Sequence, residues 1–166
     1  TARTPDNCMK LLDIIVTDAI EPNLSASTRD EAISLLVDRL IEAKAVEMDL
    51  RDEFIKSIIK REKRGSTGFG HGVAVPHVKH PNIEKLVAAI GVSKDGIDFN
   101  ALDGNPVHSI FLIISPEQKP EEHLEAMEAV FSNLSQDTFR RFLLQASSTE
   151  EVTTLLEEAD SSTLGN

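Results

Sequence analysis

The chain has no tryptophan, no tyrosine and one cysteine, and it is short of basic residues. Each scarcity excludes something. Single-stranded nucleic acid is gripped largely by aromatic stacking platforms, and here only phenylalanine could supply one. Lys and Arg total 17 against 28 Asp and Glu, a formal charge of −11. Binding a phosphate backbone needs clustered cations, so no nucleic-acid partner is expected. The lone Cys8 cannot close an internal disulfide, which suits a reducing compartment and a cytoplasmic location. No apolar run approaches the roughly 18 residues of a membrane-crossing helix, so no direct membrane insertion is expected. Thr1 to Asp13 lacks the apolar core of a secretory signal, and the start at Thr1 reads as a trimmed end.

What is present suffices for one domain. The 166 residues are 40% hydrophobic and 27% charged, ordinary values for a globular chain large enough to bury a core. The expected division is a leading segment over 1–12, a domain over 13–160 and a frayed polar tail over 161–166. Ile14 to Leu24 contains a possible first strand. Thr28 and Glu31 form a capping box ahead of Ile33, Leu36, Val37, Leu40 and Ile41, which recur at helical spacing as far as about Lys44. A second helix is predicted from about Asp49 to Lys63. Leu86–Val92 and Val107–Ile114 are continuous apolar runs, as expected of central strands covered on both faces. Lys94-Asp95-Gly96 reads as a turn, Ile97-Asp98-Phe99 as a short edge strand and Asp103-Gly104-Asn105-Pro106 as another turn. Helices are predicted near 121–132, 136–145 and 149–159, the last capped by Ser148 or Thr149. The pattern is that of an α/β fold: one layered domain, a mixed parallel and antiparallel sheet of about five strands, and helices on both faces.

The densest local signal runs from Gly65 to His77, reading GSTGFGHGVAVPH. Four glycines permit backbone conformations closed to other residues and close approach by a partner. Val73-Ala74-Val75 is short and β-branched, a buried strand that Pro76 ends just before His77. The basic cluster Lys60-Arg61-Glu62-Lys63-Arg64 directly precedes the loop.

Five histidines are the candidate chemical groups: His71, His77, His80, His108 and His123. A neutral imidazole is a competent nucleophile toward phosphorus and needs no separate base. His77 has the strongest local case, against the alternative of a solvated loop histidine. His71, His77 and His80 invite a metal site, but no carboxylate or Cys completes a known ligand spacing, so neither metal nor cofactor is expected. His108 lies in an apolar strand and reads as a strand-face histidine.

Arg61-Glu62-Lys63, Gly65-Ser66-Thr67-Gly68, Gly70-x-Gly72, Val73-Ala74-Val75-Pro76-His77 and His123-Leu124 together resemble the enzyme IIA domain of the bacterial sugar phosphotransferase system. The similarity is to the fructose/mannitol type, which includes nitrogen-regulatory IIA proteins, and extends from about Ile14 to Ala159. The resemblance implies that His77 accepts a phosphoryl group through Nε2 from the histidine-containing phosphocarrier protein. It implies transfer onward to a cysteine of a IIB domain, or retention as a regulatory mark that controls binding to a target protein. His123 matches the family's second histidine, beside the first and in contact with the phosphoryl group. Its place near a helix N-terminus suits an anion. Arg61 matches the active-site arginine, whose fork can grip phosphoryl oxygens; as a bare sequence feature it is a cation at a helix C-terminus. Thr67, favoured over Ser66, would donate a hydroxyl hydrogen bond; either could instead cap a turn. Phe69, Val73 and Val78 are candidates for an apolar docking patch, or for core. Two departures from the family pattern stand out: His71 where Asn is common between the loop glycines, and Val78 where Gly often follows Pro-His.

Overall fold

The computed structural model describes residues 9–162; Cys8 and the outer parts of both predicted tails lie outside the described residues. In chain order the elements are α1 (Leu11–Ile14), β1 (Ile15–Glu21), α2 (Arg29–Glu42), a 3-10 turn (Met48–Leu50), α3 (Arg51–Arg64), β2 (Gly68–Gly70), β3 (Val73–Ala74), β4 (His77–His80), β5 (Val87–Ile97), β6 (Val107–Pro116), α4 (Pro120–Leu134), α5 (Asp137–Gln145) and α6 (Thr149–Ser162).

The sheet runs β1-β5-β6-β3-β2, with β4 also paired to β6. β5 and β6 are antiparallel, β1 is parallel to β5, and β3 and β4 are parallel to β6. The sheet is thus mixed, as expected, with six strands among the described residues where about five were predicted. The two apolar runs are its centre, and both faces are covered. Phe111 and Ile113 of β6 join a core cluster with residues of α1, α4, α5 and α6. Ile110, Leu112 and Ile114 join a second cluster with α2 and α3. The strict alternation of adjacent residues between two cores is the two-residue period of a strand buried on both sides.

Two local readings change. The predicted turn at Lys94–Gly96 is a bulged stretch of β5. Gly96 takes φ +85°, its N–H donates to Ser93 Oγ at 3.1 Å, and pairing with β6 resumes at Ile97 opposite Val107. No separate edge strand follows, and Phe99 is buried in the second core. The Asp103–Pro106 turn is as predicted: Asn105 N–H donates to Asp103 Oδ1 at 3.0 Å and Gly104 has φ +73°.

The other change concerns Pro76. It interrupts the strand without ending it. β3 pairs Val73 and Ala74 with Ser109 and Ile110, and β4 then pairs His77 to His80 with Ile113 to Pro116 along the same edge. Proline lacks the N–H for the ladder, but its carbonyl still accepts from Ile113 N–H at 3.0 Å. His77 is therefore the first residue of a strand, not a loop residue.

At the α2 N-terminus, Thr28 Oγ1 accepts from Glu31 N–H at 3.2 Å, as the capping box requires. Glu31 reaches one residue further back than predicted, to Ser27 N–H. Ser148 caps α6, accepting from Glu151 N–H at 3.1 Å.

Candidate functional site

β4 fixes the backbone of His77, and the carbonyl two residues upstream fixes its ring. His77 Nδ1 lies 2.9 Å from Val75 O. A carbonyl can only accept, so Nδ1 carries a proton, and in the neutral ring Nε2 is the nitrogen that holds the lone pair. The half-buried ring therefore presents its nucleophilic nitrogen away from the backbone.

His123 comes to it from α4. The two ring centroids are 5.4 Å apart at 50°. His123 is buried, and its Nδ1 is 2.6 Å from Ser115 Oγ on β6. Burial, then the nearby His77 and Lys79 as like charges, push its pKa down to about 4. At neutral pH this ring is uncharged. The α4 N-terminus itself offers little to an anion. Pro120 has no N–H, and the N–H groups of Glu122 and His123 both donate to Lys119 O.

The end of α3 and the glycine loop form a separate hydrogen-bonded unit that uses part of its own donor set. Arg61, in the last turn of α3, donates from Nη1 to Gly65 O at 2.8 Å. Thr67 donates both its hydroxyl and its N–H to the carboxylate of Glu62, the latter at 3.2 Å. Glu62 is only 3% exposed, so a buried charge is matched by two donors from the loop. Ser66 caps a turn, donating to Phe99 O at 2.6 Å and accepting from Gly68 N–H. Among the described residues no hydrogen bond joins Arg61 or Thr67 to either imidazole. The structure thus brings His77 and His123 together directly, while Arg61, at the end of α3, and Thr67, in the loop, bond within their own segment. In the sequence Glu62 is one residue of the Arg61-Glu62-Lys63 stretch with no role of its own, and nothing there singles out Ser115. A glutamate on the α3 face beside Phe54 and Ile58 was the available signal for the first.

Gly70, His71 and Gly72 have φ of +113°, +59° and +75° in succession. Asn and His are among the few side chains enriched in that left-handed region, which gives a physical reason for His71 at a position where Asn is common. Asp103 holds this stretch: its carboxylate is pushed to lower pKa by the Asn105 N–H first, and also by the His71 N–H.

The remaining candidates separate. Val73 is core, Phe69 packs at a tilt against Phe131 with centroids 4.9 Å apart, and Val78 packs on the second core. The large exposed apolar side chain beside the histidines in sequence is instead Leu124, 63% exposed. His80 is buried, with Nε2 on Glu53, Nδ1 accepting from Asn82 N–H, and its ring against Phe54. His108 donates from Nδ1 to Ser93 O at 2.9 Å. Among the described residues, no group of three or more His, Cys, Asp and Glu is disposed to hold a metal ion. No helix among them is long and apolar enough to cross a membrane.

Comparison with known proteins places this arrangement. The chain is 32% identical over 152 residues to a PTS system fructose-specific EIIABC component of Bacillus subtilis, covering 92% of this chain and 24% of that protein. It is 34% identical over 132 residues to a PTS system fructose-specific EIIA component of Haloferax volcanii, covering 80% and 84%. The crystal structure of nitrogen regulatory protein IIA-Ntr from Neisseria meningitidis superposes with a TM-score of 0.78 at 29% identity, covering 86% of this chain and 96% of that one. Residues 13–159 match the family described as phosphoenolpyruvate-dependent sugar phosphotransferase system, EIIA 2, and to that family the chain belongs.

Proposed function

We propose that this chain is a cytoplasmic phosphocarrier whose working unit spans residues 13–160 and whose carrier atom is His77 Nε2. The observation that carries the reading is the Nδ1 bond to Val75 O, which leaves the opposite nitrogen bare beside an uncharged second imidazole. In the first step the Nε2 lone pair attacks the phosphorus of a phosphohistidine on the histidine-containing phosphocarrier protein. The donor's N–P bond breaks and its electron pair returns to the donor imidazole. In the second step a cysteine thiolate of a IIB domain attacks, and the electron pair of the His77 N–P bond returns to Nε2. The transition state is loose and its charge is spread over three oxygens, so positioned donors matter more than covalent assistance. His123 is the nearest such donor, and Arg61 has guanidinium hydrogens beyond the one held by Gly65 O.

Incubation with phosphoenolpyruvate and the general phosphotransferase proteins should add one acid-labile phosphoryl group, and His77→Ala should add none. Label persisting in that variant would sink the assignment.

A second reading has its own support: similarity to the nitrogen regulatory protein IIA-Ntr of Neisseria meningitidis spans 96% of that chain. There the phosphoryl group on His77 would act as a charge switch on binding to a target protein, with no sugar transported. Passage of label from the phosphorylated chain to a purified fructose-type IIB domain favours the carrier. Refusal by IIB domains, with a target whose affinity changes on phosphorylation, favours the switch.

A further inference from the structure

Ser115 is wholly buried on β6, and its hydroxyl sits 2.6 Å from His123 Nδ1. A hydroxyl has one hydrogen, and a neutral imidazole has one N–H and one bare nitrogen. Two arrangements fit that distance. In one, His123 Nδ1–H donates to Ser115 Oγ. The hydroxyl hydrogen then needs a second acceptor, yet among the described residues Ser115 Oγ has no other hydrogen-bond partner. A buried donor stripped of water and left unpaired is costly. In the other, Ser115 Oγ–H donates to Nδ1, every hydrogen is placed, and the proton of the ring must sit on Nε2. The doubly protonated ring is removed at neutral pH by its burial.

The same strand sets both histidines. His77 lies opposite Ile113 of β6, and Ser115 is two residues further along, on the same face. The hydroxyl thus tethers a helix-borne ring to the ladder that fixes the carrier.

We propose that Ser115 is a positioning residue whose hydroxyl holds His123 as its Nε2–H tautomer, so that His123 offers a neutral N–H donor to the phosphoryl group on His77. The inference rests on His77 being the carrier. The opposite tautomer would turn a lone pair toward the phosphoryl oxygens and repel them.

The test has two arms. Long-range proton–nitrogen correlation spectra of the full chain, labelled with nitrogen-15 at histidine, read the tautomer at pH 7 without any phosphoryl transfer. The expected result is His123 protonated at Nε2 and bare at Nδ1, with that preference lost in Ser115→Ala. A proton on Nδ1 in the unsubstituted protein, or an unchanged tautomer in Ser115→Ala, overturns the proposal. In single-turnover transfer from the phosphorylated phosphocarrier protein, Ser115→Ala should slow the step about threefold to tenfold, the worth of one hydrogen bond. The donor concentration giving half-maximal rate should stay unchanged, and Ser115→Thr, which keeps the hydroxyl, should restore the rate. An unaltered rate in Ser115→Ala overturns the donor role. If the unsubstituted protein accepts no phosphoryl group at all, the carrier reading fails and the donor role with it, while the tautomer measurement is unaffected.

Discussion

On one side of the site, His77 and His123 are held by the sheet. A backbone carbonyl orients the first ring, a strand-borne hydroxyl the second, and each keeps one ring nitrogen uncommitted. On the other side, Arg61 and Thr67 are held by their own neighbourhood. Thr67 gives both its donors to Glu62, and Arg61 gives one to Gly65 O. The first side has its geometry set and its chemistry free. The second uses much of its polar capacity to hold a glycine-rich loop in shape. Proximity in a motif therefore says little about which residue touches a substrate. A donor already matched to a buried carboxylate is a strut until something displaces it.

The division between the two pairs of residues is tested hardest at His123. Removing a preorganised donor from a transition state costs about 100-fold or more in rate. His123→Ala should lower single-turnover transfer to His77 by that order while leaving His77 able to be labelled slowly. A loss below about threefold would move His123 to the structural side.

The next effect is on stability. The folded pKa of His123 is about 4, below its ordinary 6.5, so the unfolded chain takes the proton first as pH falls. Stability should therefore drop from about pH 6.5 and level off near pH 4, by about 3 kcal/mol from this group. Urea titrations across that range should show the drop, and His123→Gln, which cannot titrate, should lack that part of it. A phosphoryl group on His77 should oppose the drop by attracting the proton.

On the loop side the expected effects are smaller. Glu62→Gln replaces an acceptor for two donors with an amide that can satisfy one, at a cost of about 1–3 kcal/mol in urea unfolding. Thr67→Val should be the mildest change in transfer rate, within about threefold, because the lost hydroxyl hydrogen was already on Glu62. A fall beyond about tenfold would show that the hydroxyl swings to the phosphoryl group during transfer.

Much of the fold was legible because period and punctuation are local. The apolar runs named the central strands, and Thr28 named a helix start. What escaped was set at a distance. The resumption of pairing at His77 depends on β6 lying alongside, so Pro76 read as an end. Gly96 read as a turn because a bulge and a turn both use positive φ, and only the pairing of Ile97 with Val107 distinguishes them. Of the site, Pro-His was visible as a constrained histidine, and the pairing with His123 came from resemblance alone. Glu62 and Ser115 were not assigned, since a hydrogen bond such as that from Ser115 to His123 joins separate elements and leaves no mark in composition or spacing.

Among the described residues β4 pairs with β6 on one side and with no strand on the other. An unpaired strand edge is a template for pairing with another chain. Here the edge is four residues long, bounded by Pro76 and Pro81, and bears an exposed lysine, Lys79. Such a margin is too short and too interrupted to seed a growing stack of strands. The His77 imidazole can thus sit accessible on a strand edge that offers little for another strand to pair with.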